Sequence, residues 1–154
     1  MIRLNIGCGR DYKEGWINTD ISKEVKADSY FDIRTHWLMA PDGSKIKNES
    51  VDEIYISGVL EQILENEHLI HTMNECHRVL KVGKTMQVIV PNARFSIAHQ
   101  DPMDVRKFTR ETFPYFMLGM RQYELYGSVY GFAGWSNLDI QENERHILII
   151  KLKK

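Results

Sequence analysis

Two glycines one residue apart, Gly7 and Gly9, stand directly behind a short apolar run, and an acid, Asp20, closes the next such run. Glycine carries no Cβ, so a turn built from it lets backbone approach a ligand closely and adopts positive φ without strain. Amides exposed in such a turn can hold a carboxylate or a phosphate. An acid thirteen positions after Gly7 can accept both hydroxyls of a ribose, a two-pronged task for which Asn or Ser is less suited. A dinucleotide fingerprint needs a third glycine three positions after Gly9, where Tyr12 stands, and a nucleotide P-loop needs Gly-Lys-Ser/Thr, which is absent. Both phosphate readings are weakened.

These residues need strands to position them. Residues 2–6, 15–21, 51–57 and 85–91 are short β-rich runs that read as strands. Between the last two, Leu60, Ile63, Ile70, Met73, Val79 and Leu80 recur at helical spacing, with Gly83 as the expected stop. Strand, helix, strand in that order implies a crossover and a parallel sheet, and the run 143–154 suits a final antiparallel hairpin strand. The expected fold is an open α/β, Rossmann-like, mostly parallel sheet with an antiparallel C-terminal strand, in one domain spanning 1–154. Ligands of such sheets lie beyond the carboxyl ends of the strands, which is where Gly7, Gly9 and Asp20 fall. About ten residues separate the first two strands, too few for a full helix. A nucleoside held without a phosphate-binding helix fits that spacing, and S-adenosylmethionine, with a ribose and an amino-acid tail but no phosphate, is such a ligand.

Composition narrows the partners. The 154 residues are 43% hydrophobic and 27% charged, as in an ordinary globular domain. Twenty Lys and Arg against 21 Asp and Glu leave a formal charge of -1, which offers no overall field for nucleic acid or an anionic membrane. Two cysteines make no disulfide framework, and the amino terminus lacks a long apolar stretch, so a reduced, cytoplasmic protein is expected.

Four segments, "LNIGCG" with "GWINTDI", "SVDEIYISGVLEQI", "NECHRVLKVGKTMQVIVPN" and "DPMDVRKFTRETF", occur in the order found in class I S-adenosylmethionine-dependent methyltransferases, and the chain resembles the short type 11-like branch of that family over roughly residues 3–116. The resemblance implies that Gly7, Cys8 and Gly9 line the methionine portion, with Asn5 supporting the loop. It implies that Asp20 takes the ribose hydroxyls, Ile21 packs on the adenine, and Asp32 with Ile33 reads the adenine edge. Ser57, Gly58 and Val59 would floor the site near the transferred methyl. Relatives commonly read "SHVLEH" where this chain has "SGVLEQ", so Gly58 and Gln62 replace two histidines. Relatives often also carry a helix before the first strand; the chain starts at that strand, so an open cleft, or one closed by a partner, is expected.

Other features admit plainer readings. Cys8 reads as a small packed residue rather than a nucleophile. His68, His71, Glu75 and His77 crowd one expected helix, but a solvated polar face accounts for them and no metal is expected. The acceptor side is expected in the polar segment 98–113, where His99 is the candidate base and Asp101, Asp104 and Arg106 are candidate acceptor contacts; alternatively Asp101 and Arg106 only brace one another. Residues 113–135 hold eight of the sixteen aromatics and are expected to wall the acceptor cleft, join the core or form a homodimer contact. The expected acceptor is a small molecule or saccharide, with lipid and protein open. Two other functions stay open: a catalytically silent domain that binds the cofactor, and a nicotinamide-dependent oxidoreductase.

Overall fold

The computed structural model describes residues 1–154. The apolar runs form seven strands: β1 (Arg3–Ile6), β2 (Ile17–Asp20), β3 (Ser29–Tyr30), β4 (Val51–Ser57), β5 (Leu80–Pro91), β6 (Asn137–Glu142) and β7 (Ile147–Lys153). They lie in one sheet in the order β3-β2-β1-β4-β5-β7-β6. The first five pair in parallel, whereas β7 runs antiparallel to both β5 and β6. The chain steps outward through β1, β2 and β3 and then returns to the other side of β1 as β4. The strand order therefore reverses between β1 and β4, which is where such sheets hold ligands.

One full helix, α1 (Asn66–Val79), carries the crossover from β4 to β5. Leu69, Met73, Cys76 and Val79 recur on its buried face at helical spacing. It begins later than the periodicity predicts, because Leu60–Gln62 form a separate 3-10 turn. It also ends four residues before Gly83. Leu80 is drawn into the core as the partner of Val51, and Gly83, at φ +79°, turns the chain within β5.

Adjacent registered rows explain the layering. Thr19, Ile6, Ile56, Val88, Ile150 and Ile140 form a row across six strands, and its buried apolar members belong to the cluster that also holds the buried face of α1. The next row, one residue along, is Asn18, Asn5, Tyr55, Gln87, Lys151 and Asp139. Because side chains alternate along a strand, this polar row occupies the opposite face. The insertion between β5 and β6 divides its aromatics: Phe108, Phe113, Phe116 and Trp135 enter the core, whereas Tyr126 and Tyr130 stay about half exposed.

No helix covers the connection from β1 to β2. Asn5 and Asn18 organise it instead. Asn5 Nδ2 donates to Asn18 Oδ1 (2.9 Å) and to the Asp11 carbonyl (2.7 Å). Asn18 Oδ1 also accepts from the Lys13 amide, and its Nδ2 donates to the carbonyls of Lys13 and Trp16. Lys13 then lies 4.4 Å from the centre of the Tyr55 ring, closing the loop over the polar face. Replacing Asn18 with Leu keeps volume but strands several of these groups, so it should cost about 3 kcal/mol in urea unfolding. A cost below about 1 kcal/mol would remove Asn18 from this role.

Candidate functional site

A cleft of about 360 Å³ opens at the point where the strand order reverses. Ile6, Gly7 and Gly9 reach it from β1, and Thr19, Asp20 and Ile21 from β2. Phe31, Asp32, Ile33 and Arg34 close a second side; the Phe31 amide donates to the Asp20 carbonyl (3.0 Å), which carries this segment alongside β2. Gly58, Val59, Gln62 and Ile63 line the side after β4, and Met103 overhangs from the polar loop.

The glycine turn is built for closeness. At Gly7 (φ +65°) a Cβ would sit 2.2 Å from Val59 Cγ2, so no other residue fits without displacing that wall. Gly9 (φ +50°) has open space where its Cβ would be. The amides of the turn are already engaged: Cys8 donates to the Thr19 carbonyl (2.9 Å) and Gly9 to Asp20 Oδ2 (2.7 Å). An anion held by these two amides, which the sequence left open, is thereby disfavoured. Asp20 is fixed at both oxygens, since Oδ1 accepts from the Ser22 amide (2.8 Å). Each oxygen keeps a further lone pair for a ligand hydroxyl.

Asp32 is chelated by Arg34, whose Nε and Nη2 each lie 2.8 Å from one carboxylate oxygen. The guanidinium holds the Asp32 carboxyl below its usual range, so it stays an acceptor. Ile21 is 58% exposed, an apolar side chain left at the rim.

Several expected site residues stand behind the cleft or outside it. Asn5 and Cys8 are buried beneath the turn; burial raises the Cys8 thiol, with the Asp20 charge adding to it, so it is a poor nucleophile. Ser57 ends β4 beneath Gly58 without lining the space. His99 also does not line it, and its Nε2 lies 3.2 Å from the Ala93 carbonyl. Asp101 and Arg106 do not pair: Asp101 accepts from the Met103 amide, whereas Arg106 donates to the carbonyls of Ile63 and Leu64. Asp104 does not line the space, and burial, with the charge of Asp101, raises its carboxyl. The crowded side chains of α1 have other partners: His68 meets Glu65, His71 the His36 carbonyl, Glu75 pairs with Arg78, and His77 packs edge-on to Trp135. No group of three or more His, Cys, Asp or Glu side chains is placed to hold a metal ion, and no helix is long and apolar enough to cross a membrane.

Phe31, Arg34 and Met103 are lining residues that sequence reasoning did not pick out, and Gln62, noted in the sequence only as standing in place of a histidine, lines the cleft as well. Phe31 and Arg34 flank the "DI" pair in "YFDIR", the available signal. Glu61 was also missed. It is 5% exposed, and its Oε2 is the one buried side-chain polar atom without a hydrogen-bond partner. A charged residue between Leu60 and Ile63, both nearly inaccessible, was the clue.

No protein-family model matches the chain. No curated protein matches it either. Solved structures do. A SAM-dependent methyltransferase from Archaeoglobus fulgidus superposes with a TM-score of 0.68 at 17% identity, covering 99% of this chain and 85% of that one. A Thermotoga maritima SAM-dependent methyltransferase, described as a possible histamine N-methyltransferase, gives 0.64 at 12% identity, with 99% and 82% covered. One from Methanosarcina mazei gives 0.59 at 14%, with 98% and 91% covered. The fold is therefore the class I S-adenosylmethionine-dependent methyltransferase fold, in a reduced form with one full helix.

Burial pushes the Glu61 carboxyl from 4.5 up to about 7, with the charges of Asp104 and Asp101 adding to the effect. The folded protein then holds a proton that the unfolded chain releases. Stability from this group is complete below about pH 4.5, falls as pH rises, and is lost above about pH 7, a total of about 3 kcal/mol. Glu61→Gln removes the titration. Thermal melts should find the variant more stable than the parent at pH 8 and equal to it at pH 4.5; a pH-independent difference would contradict the burial argument.

Proposed function

We propose that the protein is a methyltransferase that binds S-adenosylmethionine in this cleft and passes its methyl group to an acceptor arriving from the side of residues 98–107. The observation that carries the reading is the conjunction, at one reversal point of the sheet, of a glycine turn, an anchored Asp20 and the Asp32–Ile33 pair. The engaged amides and the missing crossover helix also favour a ligand without phosphate.

Asp20 would receive the two ribose hydroxyls on its remaining lone pairs. Exposed Ile21 would lie against the adenine face, and Asp32, kept ionised by Arg34, would accept from the exocyclic amine beside the Ile33 backbone. Gly7 and Gly9 would bring backbone against the methionine portion, and Gly58 and Val59 would floor the region of the methyl, with Cys8 and Ser57 behind them. When bound, the cofactor supplies a methyl on a sulfonium, an activated leaving group, so the protein's task is to align an acceptor with it and exclude water. A base is needed only where the acceptor holds its proton. His99, Asp101, Asp104 and Arg106 do not line the cleft, whereas Met103 of the same segment does, so Asp101, Asp104 and Arg106 enter this reading as residues that shape the acceptor side.

A cofactor-binding domain without turnover is the second reading, favoured by one observation: no histidine lines the cleft. Incubation with labelled S-adenosylmethionine and fractionated small-molecule and saccharide pools separates the two, because only the enzyme yields a methylated product.

Calorimetry should register binding of S-adenosylmethionine and its demethylated product and none, or far weaker binding, of NAD. Tighter binding of NAD would overturn the reading. Asp20→Ala should weaken the adenosyl ligands by about 1.5–3 kcal/mol, the scale of hydrogen bonds to a charged group; unchanged affinity would take Asp20 out of the site.

Gly9→Val should abolish binding of S-adenosylmethionine, because a β-branched side chain resists positive φ and projects into space the ligand needs. Binding at parental affinity would separate the turn from the site.

A further inference from the structure

The insertion between β5 and β6 folds back on the first half of α1 and leaves a second cavity of about 410 Å³, within the size range of small-molecule sites. It is lined by Tyr115, Phe116, Tyr130 and Phe132 of the insertion and by Leu69 and Ile70 of α1. Its polar lining residues are Asn66, Thr112 and Arg106, of which Arg106 and Asn66 are hydrogen-bonded.

Arg106 is the unusual member. Its Nε donates to the Ile63 carbonyl (2.8 Å), and its Nη2 donates to the Leu64 carbonyl (2.9 Å) and to Asn66 Oδ1 (3.0 Å). All three acceptors are neutral, and Nη1 donates to no protein atom. The acid that faces the guanidinium, Glu65, is turned to His68 at 3.1 Å and forms no ion pair with Arg106. Burial lowers the Arg106 pKa, but an arginine stays charged at any pH at which the protein is folded. The cavity is therefore lined by a half-buried positive charge, held by three neutral acceptors and in no ion pair, together with four aromatic residues. A carboxylate on a flat apolar body complements both features, since guanidinium forms charge-assisted bonds to carboxylate and ring faces pack on ring faces.

We propose that this cavity is a second ligand site, taking a small aromatic carboxylic acid whose ring system sits among Tyr115, Phe116, Tyr130 and Phe132 and whose carboxylate meets Arg106 Nη1. The site is distinct from the cleft but shares a brace with it. Arg106 holds the carbonyls of residues 63 and 64, its own amide donates to the Glu61 carbonyl (2.8 Å), and Ile63 lines the cleft. A ligand on Arg106 thus acts on the segment 61–64, which reaches the cleft through Ile63.

The test uses the full chain without any adenosyl ligand, so its outcome is independent of the methyltransferase reading. Calorimetry and ligand-observed NMR would compare 1-naphthoate with uncharged 1-naphthamide. Naphthoate is expected to bind at least tenfold more tightly, and Arg106→Gln should erase that preference. Arg106→Gln also releases two backbone carbonyls and could unfold the segment, so Tyr130→Ala is the second variant. Tyr130 is 53% exposed, and its loss should leave the melting temperature near the parent's while weakening both probes at least fivefold. No binding of naphthoate, equal binding of the two probes, or unchanged affinity in Tyr130→Ala would overturn the proposal. Sedimentation on the same samples adds one more outcome: a homodimer that naphthoate dissociates would assign the aromatic walls to a subunit contact instead and overturn it.

Discussion

The hydrogen bond from Asn5 to Asn18 holds together the part of the molecule from which the cleft is made. Parallel strands need a crossover, and a crossover normally brings a helix that satisfies its own backbone. Here ten residues must pass from the end of β1 to the start of β2 as open loop, and several of their backbone groups, the carbonyls of Asp11, Lys13 and Trp16 and the amide of Lys13, are left to side-chain partners. Two asparagines supply them, because an amide side chain both donates and accepts, and a pair of them in register can serve each other and the loop together. Gly7 and Gly9 lie two and four positions after Asn5, and Asp20 two after Asn18. Fixing the asparagines therefore fixes the turn and the acid, which then lock directly through the Gly9 amide.

The same arrangement makes the sheet two different surfaces. On one side α1 and the insertion bury an apolar row, and this face supplies most of the stability. On the other, Asn18, Asn5, Tyr55, Gln87, Lys151 and Asp139 form a polar row, buried beneath the β1–β2 loop at the two asparagines and open to water at Lys151 and Asp139, where a doubly covered fold would bury Val and Ile. The fold thus omits helices from one face by writing a different residue class on that face. The cleft lies beyond the strand ends, and the short segment 61–64 links it to the second cavity, since Ile63 lines the cleft and Arg106, which lines the cavity, holds the carbonyls of Ile63 and Leu64.

Much of this was legible. Residues 51–57 form a strand with the expected bounds, because the run alternates cleanly between glycine- and polar-rich flanks. The turn at Gly7, the parallel order and the final antiparallel strand also follow from local signals. The rest fails for identifiable reasons. A two-residue strand such as β3 carries no periodicity at all. In β6, "NLDIQE", alternation of apolar and polar residues is present, but half the strand is exposed at the sheet edge and reads as loop. Gly83 imitates a helix stop because positive φ serves a strand turn equally well. The cleft's further walls, Phe31, Arg34, Gln62 and Met103, come from irregular segments whose courses are set by long-range contacts. Glu61 was hidden by its neighbours, since its burial depends on a loop more than forty positions away, at Arg106.

Strand length has one more consequence. β1, β2 and β3 have four, four and two residues, against seven, twelve and seven in β4, β5 and β7. The half of the sheet that carries the cleft is thus the half with the fewest ladder bonds and no helix packed across its crossover, the kind of unit that opens locally while the remainder stays folded. A ligand lying from Gly7 past Asp20 to Ile33 would span all three short strands and add its binding free energy to that unit in particular. In mechanical terms, such a guest would be a strut laid across the strand ends of the half of the sheet that has no crossover helix.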